Sequence, residues 1–186
     1  MNADAAARKP AAVRRAEIIT AADTEFAANG LAGARLEAIG ARAGISHPRI
    51  VQMFGSKREL FLEVVHAAFD RIETTFENAD HTLGALGAAY GRLLQNERTV
   101  GLVVLHGYAA AADETVREAV RRRHLGLQRL VARLTGGDAL QVRTFFATGL
   151  IVTVSTLLDL PEQRADAAWS AWILDLAAPP GETAER

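Results

Sequence analysis

The spacing of apolar residues is the feature that most limits the folds open to this chain. Apolar side chains recur every three or four residues over most of the 186 positions, as at Ile18, Ile19, Ala22 and Phe26. The alternation of apolar and polar residues that is typical of β-strands hardly anywhere continues beyond four residues. The sequence therefore predicts an all-α protein, and its length allows a sizeable buried core.

Glycine and hydroxyl residues divide this pattern into separate helices. Asn29-Gly30 ends the first helix, with the glycine expected in the left-handed conformation, and Gly44 ends the second helix, at about 36–43. Ser46 is placed to cap the third helix and Ser56 the fourth, where Glu59 can bond back to the cap. Further helices are predicted at about 82–96, 98–111, 113–134, 138–159 and 163–177.

Charge is distributed unevenly along the chain, although the formal net charge is only −1. Residues 1–60 contain nine Lys/Arg and six Asp/Glu, a net charge of +3. Residues 61–186 contain twelve Lys/Arg and sixteen Asp/Glu, a net charge of −4. A basic N-terminal part favours an anionic partner, with chance as the alternative at such small counts.

The composition disfavours several classes of site. The absence of cysteine excludes disulfides and thiolate metal sites and is typical of a reducing cytoplasm. The five histidines have no zinc-binding spacing, and neither a GxSxG turn nor a glycine-rich phosphate loop is present. We therefore predict no catalytic residues, no metal and no cofactor. The longest uncharged run, residues 144–158, is shorter than the roughly 20 residues of a membrane span, so we expect a buried helix.

The third predicted helix has an unusual outer face for its length. It lies within GISHPRIVQMFGSK, residues 44–57. At 100° per residue, three apolar side chains share one arc and would face the core: Ile50, Met53 and Phe54. The outward side carries His47, Pro48, Arg49, Val51 and Gln52. Proline is tolerated there because backbone N–H groups in the first turn have no helical partner.

The second and third helices, with the short turn around Gly44, form a helix-turn-helix signature. In that motif the second helix enters the major groove of DNA, and its first residues reach base edges. Arginine can pair with guanine and glutamine with adenine, so Arg49 and Gln52 are of the right type for base recognition. The alternative is a helical hairpin with a solvated polar face.

Residues 14–65 resemble the N-terminal domain of TetR-family transcriptional regulators, in the stretch RRAEIITAADTEFAANGLAGARLEAIGARAGISHPRIVQMFGSKRELFLEVV. The matching positions are Ile18-Ile19, Ala21-Ala22, Phe26, Asn29-Gly30, Ile39, Ala43-Gly44-Ile45-Ser46, Phe54, Ser56-Lys57 and Leu60-Phe61. The resemblance implies an all-α homodimer in which three N-terminal helices bind an operator and a fourth helix leads into the body. It further implies that the last two helices form a dimer bundle and that a small molecule entering the body ends repression.

The resemblance also implies which residues contact DNA. Eight positions fall on the DNA-binding surface: Arg35, Ser46, His47, Pro48, Arg49, Val51, Gln52 and Lys57. Lys57 matches a phosphate-contacting position at the start of the fourth helix, where the helix N-terminus also attracts phosphate. Two departures are Ala34-Arg35 in place of the usual Thr or Ser, and Val51 in place of an aromatic residue. Arg35 would then contact phosphate through its charge, and Val51 a thymine methyl group.

Aromatic and small residues mark candidate sites in the body. His106, Tyr108 and Phe146 are candidates for ligand contacts, because ligand pockets are apolar with a few polar groups. A second set is predicted at the dimer interface: Phe145, Gly149, Leu150, Thr153, Trp169 and Trp172. Ordinary core packing is the alternative for each of these residues.

The expected domains are a flexible arm at 1–9, a helix-turn-helix DNA-binding domain at 10–55, a ligand-binding and dimerisation domain at 56–177, and a disordered tail at 178–186. We interpret the chain as a cytoplasmic, homodimeric repressor that binds an inverted-repeat operator in the nucleoid and is released by a small apolar ligand. One alternative is a regulator without a small-molecule ligand. The other is a helical binding protein or enzyme with a coincidental helix-turn-helix, which would show no salt-dependent DNA binding.

Overall fold

The computed structural model describes residues 10–160, and this part of the chain is all-α, as predicted. It contains eight helices and no strand. They are α1 (Ala11–Gly33), α2 (Leu36–Ala43), α3 (His47–Phe54), α4 (Lys57–Glu77), α5 (Leu83–Asn96), α6 (Arg98–Ala109), α7 (Glu114–Thr135) and α8 (Ala139–Leu157). The predicted helix at 163–177 with Trp169 and Trp172, and the predicted segments 1–9 and 178–186, lie outside the described residues.

Several helix ends depend on a capping residue beside them, and for Gly44 and Ser56 this role was predicted. Gly44 follows α2 with φ 65° and ψ 37°, the left-handed conformation that glycine adopts easily. The Ser56 hydroxyl accepts the N–H of Glu59 at 3.1 Å and donates to the Glu59 carboxylate at 2.9 Å. Asp113 accepts the N–H of Val116 at 3.1 Å at the start of α7, and this bond lowers the pKa of the Asp113 carboxyl. Local sequence therefore sets these three boundaries.

One predicted cap is wrong, and another is confirmed in its position but makes no side-chain bond. Gly30 has a positive φ of 61°, but its ψ of −174° is extended, so α1 is interrupted there and continues to Gly33. Ser46 is the N-cap residue of α3, yet its hydroxyl makes no capping hydrogen bond. A capping hydroxyl needs a free N–H two or three residues on. Pro48 has no N–H, and the N–H of Arg49 already donates to the Ser46 carbonyl oxygen at 3.0 Å.

The helices form two compact units. The first unit contains described residues 10–74 and 97–127, and therefore α1 to α3, most of α4, α6 and the first part of α7. The second unit contains residues 75–96 and 128–160, and therefore the end of α4, α5, the rest of α7 and α8. The predicted domain boundary after residue 55 was drawn between a DNA-binding and a ligand-binding part. The two units are defined by packing contacts, so they do not test this boundary, and it stays a prediction.

Each unit has aromatic side chains in its core. In the first unit the rings of Phe26 and Phe61 meet edge to face, with centroids 5.0 Å apart, and both are fully buried. α1 packs there against both α2 and α6, which gives the helix-turn-helix a rigid base. In the second unit α5 packs against α8, and the rings of Phe76 and Phe145 lie 5.7 Å apart.

α8 is apolar and yet largely exposed. Among the described residues it is the one helix long and apolar enough to cross a membrane, with a hydropathy of 1.3. Core helices of soluble proteins meet the same criterion, so length and composition alone decide little. In the single chain only Val142 and Thr153 of α8 are buried, so the expected burial of this helix, on one side by a partner chain, stays a prediction. Its apolar side chains surround the helix, and Leu140 and Leu150 are half-exposed.

Candidate nucleic-acid interface and apolar groove

α3 presents the outer face that its sequence predicts. Ile50 and Phe54 are 1% and 7% exposed and anchor the helix on the core of the first unit. On the outer side the residues are exposed, apart from the partly exposed His47: Pro48, Arg49, Val51 and Gln52. A short helix therefore offers a row of polar side chains at the surface, in the position that a DNA-reading helix needs.

A tight turn holds α3 against α2. The N–H of Ile45 donates to the carbonyl oxygen of Gly40 at 2.8 Å, and a Cβ on Gly40 would meet the carbonyl oxygen of Ile45. Glycine thus allows the two backbone segments to touch. Sequence reasoning missed Gly40, although a glycine inside an eight-residue helix is itself a sign of close backbone approach.

Polar side chains near the start of α3 are held in pairs. His47 Nδ1 lies 3.0 Å from the Glu37 carboxylate of α2. Arg49 Nη1 donates to Gln52 Oε1 at 2.6 Å. A hydrogen bond from its own backbone N–H lowers the pKa of Glu37, and the charges of His47 and Arg35 act in the same direction. Glu37 is therefore a carboxylate at neutral pH, and His47 can donate to it through Nδ1.

Lys57 and Arg35 flank α3 at the starts of two other helices. Lys57 Nζ donates to the carbonyl oxygens of Ala32 and Ala34 at 3.1 and 3.0 Å, so two of its three donors hold the connection between α1 and α2. Arg35 is the exposed N-cap residue of α2, and its backbone N–H donates to Glu25 Oε1 at 3.1 Å. The buried carboxylate of Glu25, which sequence reasoning missed, thereby fixes the start of α2.

Arg15 is a second charged residue that sequence reasoning missed. Its guanidinium donates to the carbonyl oxygen of Met53 at 3.3 Å and pairs with Glu63 at 2.7 Å. It also lies 4.3 Å from the centre of the Phe54 ring, within the range of a cation–π contact. Arg15 therefore connects α1 with α3 and α4. No local signal marks it, because Met53 is 38 residues away in the chain.

The predicted ligand-contacting residues belong to α6 and α8. The His106 ring lies against the backbone of Gly30, where a Cβ would be only 2.7 Å from His106 Nδ1. The Tyr108 hydroxyl is 3.0 Å from Nδ1 of His124, and both line a shallow depression on α6 and α7. Phe146 lies on α8 in the second unit. The assignment of His106, Tyr108 and Phe146 as ligand contacts stays a prediction.

An apolar groove of about 570 Å³ lies between α5 and α8, within the second unit. Its walls are Leu83, Gly84, Gly87, Ala88, Tyr90, Leu140, Gln141, Thr144, Phe145, Thr148, Gly149 and Val152. The space exists because α5 presents residues with little or no side chain, Gly84, Gly87 and Ala88. This run of small residues at helical spacing is the sequence signal that would have located the groove.

A hydrogen-bonded pair forms the polar part of the groove region. The hydroxyls of Tyr90 and Thr153 are 2.7 Å apart, and Thr153 also donates to the carbonyl oxygen of Gly149 at 2.8 Å. Burial raises the pKa of Tyr90, so its phenol is neutral at physiological pH. Thr153, Gly149 and Phe145 lie next to α5 of their own chain, and their place at a dimer interface stays a prediction.

The exposed side of α8 carries the remaining predicted interface residue. Leu150 is 50% exposed, and Leu140, Val154 and Leu158 are exposed with it. Their spacings of ten, four and four residues place apolar surface along one side of the helix. Exposed apolar surface of this kind is typical of interaction sites.

Metal-binding side chains do not cluster in the part of the chain that the structure describes: residues 10–160 contain no group of three or more His, Asp or Glu side chains that could hold an ion. The chemistry available at the surface of α3 is therefore hydrogen bonding and charge. At the groove it is apolar contact next to one neutral hydroxyl pair.

Comparison with known proteins finds relatives with the same motif. Residues 18–64 match the family described as bacterial regulatory proteins, tetR family. The chain is also similar to the HTH-type transcriptional activator FasR of Mycolicibacterium smegmatis, with 27% identity over 154 residues that cover 77% of this chain and 70% of FasR. Residues 18–64, matched by the family, include all of α2 and α3.

Solved structures share the fold over nearly the whole length. A TetR-like transcriptional regulator from Rhodococcus sp. RHA1 superposes with a TM-score of 0.68 at 21% identity, covering 91% of this chain and 96% of that one. FadR of Bacillus subtilis in complex with stearoyl-CoA superposes with a TM-score of 0.59 at 21% identity, covering 87% and 96%. At this level of identity the likeness concerns the all-α architecture.

Proposed function

Because the chain belongs to the TetR family of bacterial transcriptional regulators, we propose that it is a cytoplasmic, homodimeric repressor that binds an inverted-repeat operator through α3. The observation that carries the proposal is the outer face of α3, where Arg49 and Gln52 are exposed while Ile50 and Phe54 fix the helix from below. Two copies related by a twofold axis would meet two half-sites. We assign the chain no enzymatic reaction.

Two cations beside α3 are suited to the DNA backbone. Lys57 keeps one ammonium donor beyond the two that bind Ala32 and Ala34, and it stands at the N-terminus of α4, where phosphate is favoured. The exposed Arg35 stands at the N-terminus of α2. These contacts would position the protein and make binding salt-dependent, whereas α3 would supply sequence preference.

Dimerisation is proposed through the exposed side of α8. Leu150 and Val154 are 50% and 39% exposed in the single chain, and burying them against a second copy would remove apolar surface from water. A twofold axis places the same surface of each copy in contact. Such a dimer holds two α3 helices at a fixed separation, which an inverted repeat requires.

Release from DNA is proposed to follow binding of an apolar small molecule in the groove between α5 and α8. The groove has the size and apolar lining of a ligand site, with the Tyr90–Thr153 pair as its polar group. FadR was crystallised with stearoyl-CoA, whose acyl chain is apolar, and this supports a ligand with an apolar part. The ligand must favour the form that does not bind DNA, and α4 and α7 are the helices with residues in both units.

The proposal is tested by selecting duplexes from a randomised pool with the full chain. We expect an inverted repeat whose affinity falls steeply with salt. The triple variant His47→Ala, Arg49→Ala, Gln52→Ala should lose this selectivity while remaining folded. Arg122→Ala on α7 is the matched control, since it removes an exposed charge away from α3.

Unchanged operator affinity in the folded triple variant would exclude α3 as the DNA-reading helix.

Thermal shift with stearoyl-CoA then tests the ligand, because binding to the folded state raises the melting temperature. A reporter gene decides the direction of regulation, in view of the activator FasR among the relatives. Lower expression in the presence of the protein is expected for a repressor.

A further inference from the structure

The side chains of Arg49 and Gln52 form one unit on the exposed face of α3. Arg49 Nη1 donates to Gln52 Oε1 at 2.6 Å, across one helical turn. A guanidinium can only donate, so its partner must be the amide oxygen, and this settles which way the Gln52 amide points. The amide nitrogen of Gln52 then faces away from the arginine with two N–H donors to offer.

This pairing changes what Gln52 can recognise. A glutamine that reads adenine needs both halves of its amide, because the oxygen accepts from N6 and the nitrogen donates to N7. In this structure a lone pair of the oxygen is already used by a cation. The positive charge beside that oxygen also opposes the approach of the adenine amino group. Gln52 can therefore offer a base only the two N–H donors of its amide. The guanidinium of Arg49 also offers only N–H donors.

Guanine is the base that matches such a surface. Its major-groove edge has two acceptors, N7 and O6, and no donor, whereas adenine and cytosine each present an amino group. The residues are three apart, so they rise by about 4.5 Å along the helix. That distance is close to the rise of about 3.4 Å between stacked bases. Two donor groups at this separation can reach neighbouring base pairs.

We propose that Arg49 and Gln52 act together as a donor-only reading pair that selects guanine at two neighbouring positions of each half-site. The inference rests on the proposed function, since it requires α3 to enter the major groove. Arg49 is the main contact to its guanine, and it also determines the specificity of Gln52 by occupying Oε1. The Arg49–Gln52 pair is thus a specificity determinant and not two independent contacts.

The first test uses the operator selected by the full chain. We expect two adjacent guanines in each half-site. Replacing either by 7-deazaguanine, which lacks the N7 acceptor, should weaken binding about 5- to 100-fold. A clear operator without neighbouring guanines would overturn the inference and leave the proposed function intact. Failure to select any sequence would instead count against the proposed function.

The second test asks whether the two residues depend on each other. Affinities are measured for four operators that carry GG, GA, AG or AA at the two positions. The unchanged protein should prefer GG. Arg49→Ala should lose guanine preference at its own position and should switch the Gln52 position from guanine to adenine, because Oε1 becomes free. Retained guanine preference at the Gln52 position would show independent reading and overturn the inference.

Gln52→Ala provides the matched variant from the other side of the pair, and it serves if Arg49→Ala binds too weakly to measure. Without Gln52 the guanidinium loses its anchor, so discrimination between guanine and adenine should fall at both positions. Independent contacts would lose discrimination at one position only, which would also overturn the inference. Circular dichroism confirms that each variant keeps its helices.

Discussion

Replacing Gly30 by alanine introduces a methyl group where neither the backbone nor the neighbouring side chain accommodates it. Gly30 has φ 61° and ψ −174°, a combination that residues with a Cβ rarely adopt. The new Cβ would also lie 2.7 Å from His106 Nδ1, closer than any ordinary contact. Both effects act at the position where α1 is interrupted before α2 begins.

The expected loss of stability is the sum of these effects. An unfavourable backbone conformation costs on the order of 1–3 kcal/mol. Displacing the His106 ring from its rotamer adds about 0.5–1.5 kcal/mol. The reduced freedom of the unfolded chain offsets about 0.4–1 kcal/mol. The net destabilisation is therefore about 2 kcal/mol, equivalent to a fall in Tm of roughly 4–8 °C for a chain of this size.

Thermal unfolding at one fixed protein concentration measures this loss, since association would otherwise shift Tm. Gly33→Ala is the matched control, because a Cβ there meets only the Asn29 Cβ at 3.4 Å and needs no unusual φ. Adding His106→Ala to Gly30→Ala should restore only the steric part of the loss. Equal Tm values for Gly30→Ala and Gly33→Ala would refute the reasoning.

Three further outcomes are expected. Leu150→Arg places a charge on the exposed apolar side of α8 and should convert a dimer into a monomer in sizing chromatography; an unchanged dimer would place the interface elsewhere. Gly84→Leu should fill the groove and abolish the thermal shift given by stearoyl-CoA, whereas Gly91→Leu, which has open space outside the groove, should retain it. Burial lowers the pKa of His124 from 6.5, so the unfolded chain binds the proton first and stability should fall as pH drops below that value. His124→Gln should flatten this slope, and an unchanged slope would exclude His124 as its source.

Local signals were sufficient to predict the α2–α3 pair. The turn glycine Gly44 and the buried pair Ile50 and Phe54 lie within eleven positions of one another, so capping and helical periodicity determine them. The contacts that support α3 are not local. Arg15 of α1 donates to the carbonyl oxygen of Met53 in α3, 38 residues away in the chain. Spacing along one helix carries no information about partners on another helix.

The position of the groove could not be predicted from the sequence either. Polar-tipped and aromatic residues such as His106 and Tyr108 suggest a ligand site from their chemistry alone, but they lie on α6 in the first unit, whereas the groove lies within the second unit. The groove depends instead on missing side-chain volume at Gly84 and Gly87, and on the packing of α5 against α8. The small residues can be seen in the sequence. Which helix faces them is decided by tertiary packing.

The packing of α6 on α1 matters for engineering sensors with new DNA targets. A chimaera that joins residues 10–55 to a different body would keep α2 and α3 but discard His106, whose ring lies against Gly30. The transplanted α1 would then rest on a surface shaped for another sequence. Exchanging the exposed side chains of α3 does not affect the contact between His106 and Gly30. A few substitutions on α3 should therefore change the DNA target without the loss of packing that a junction after residue 55 would cause.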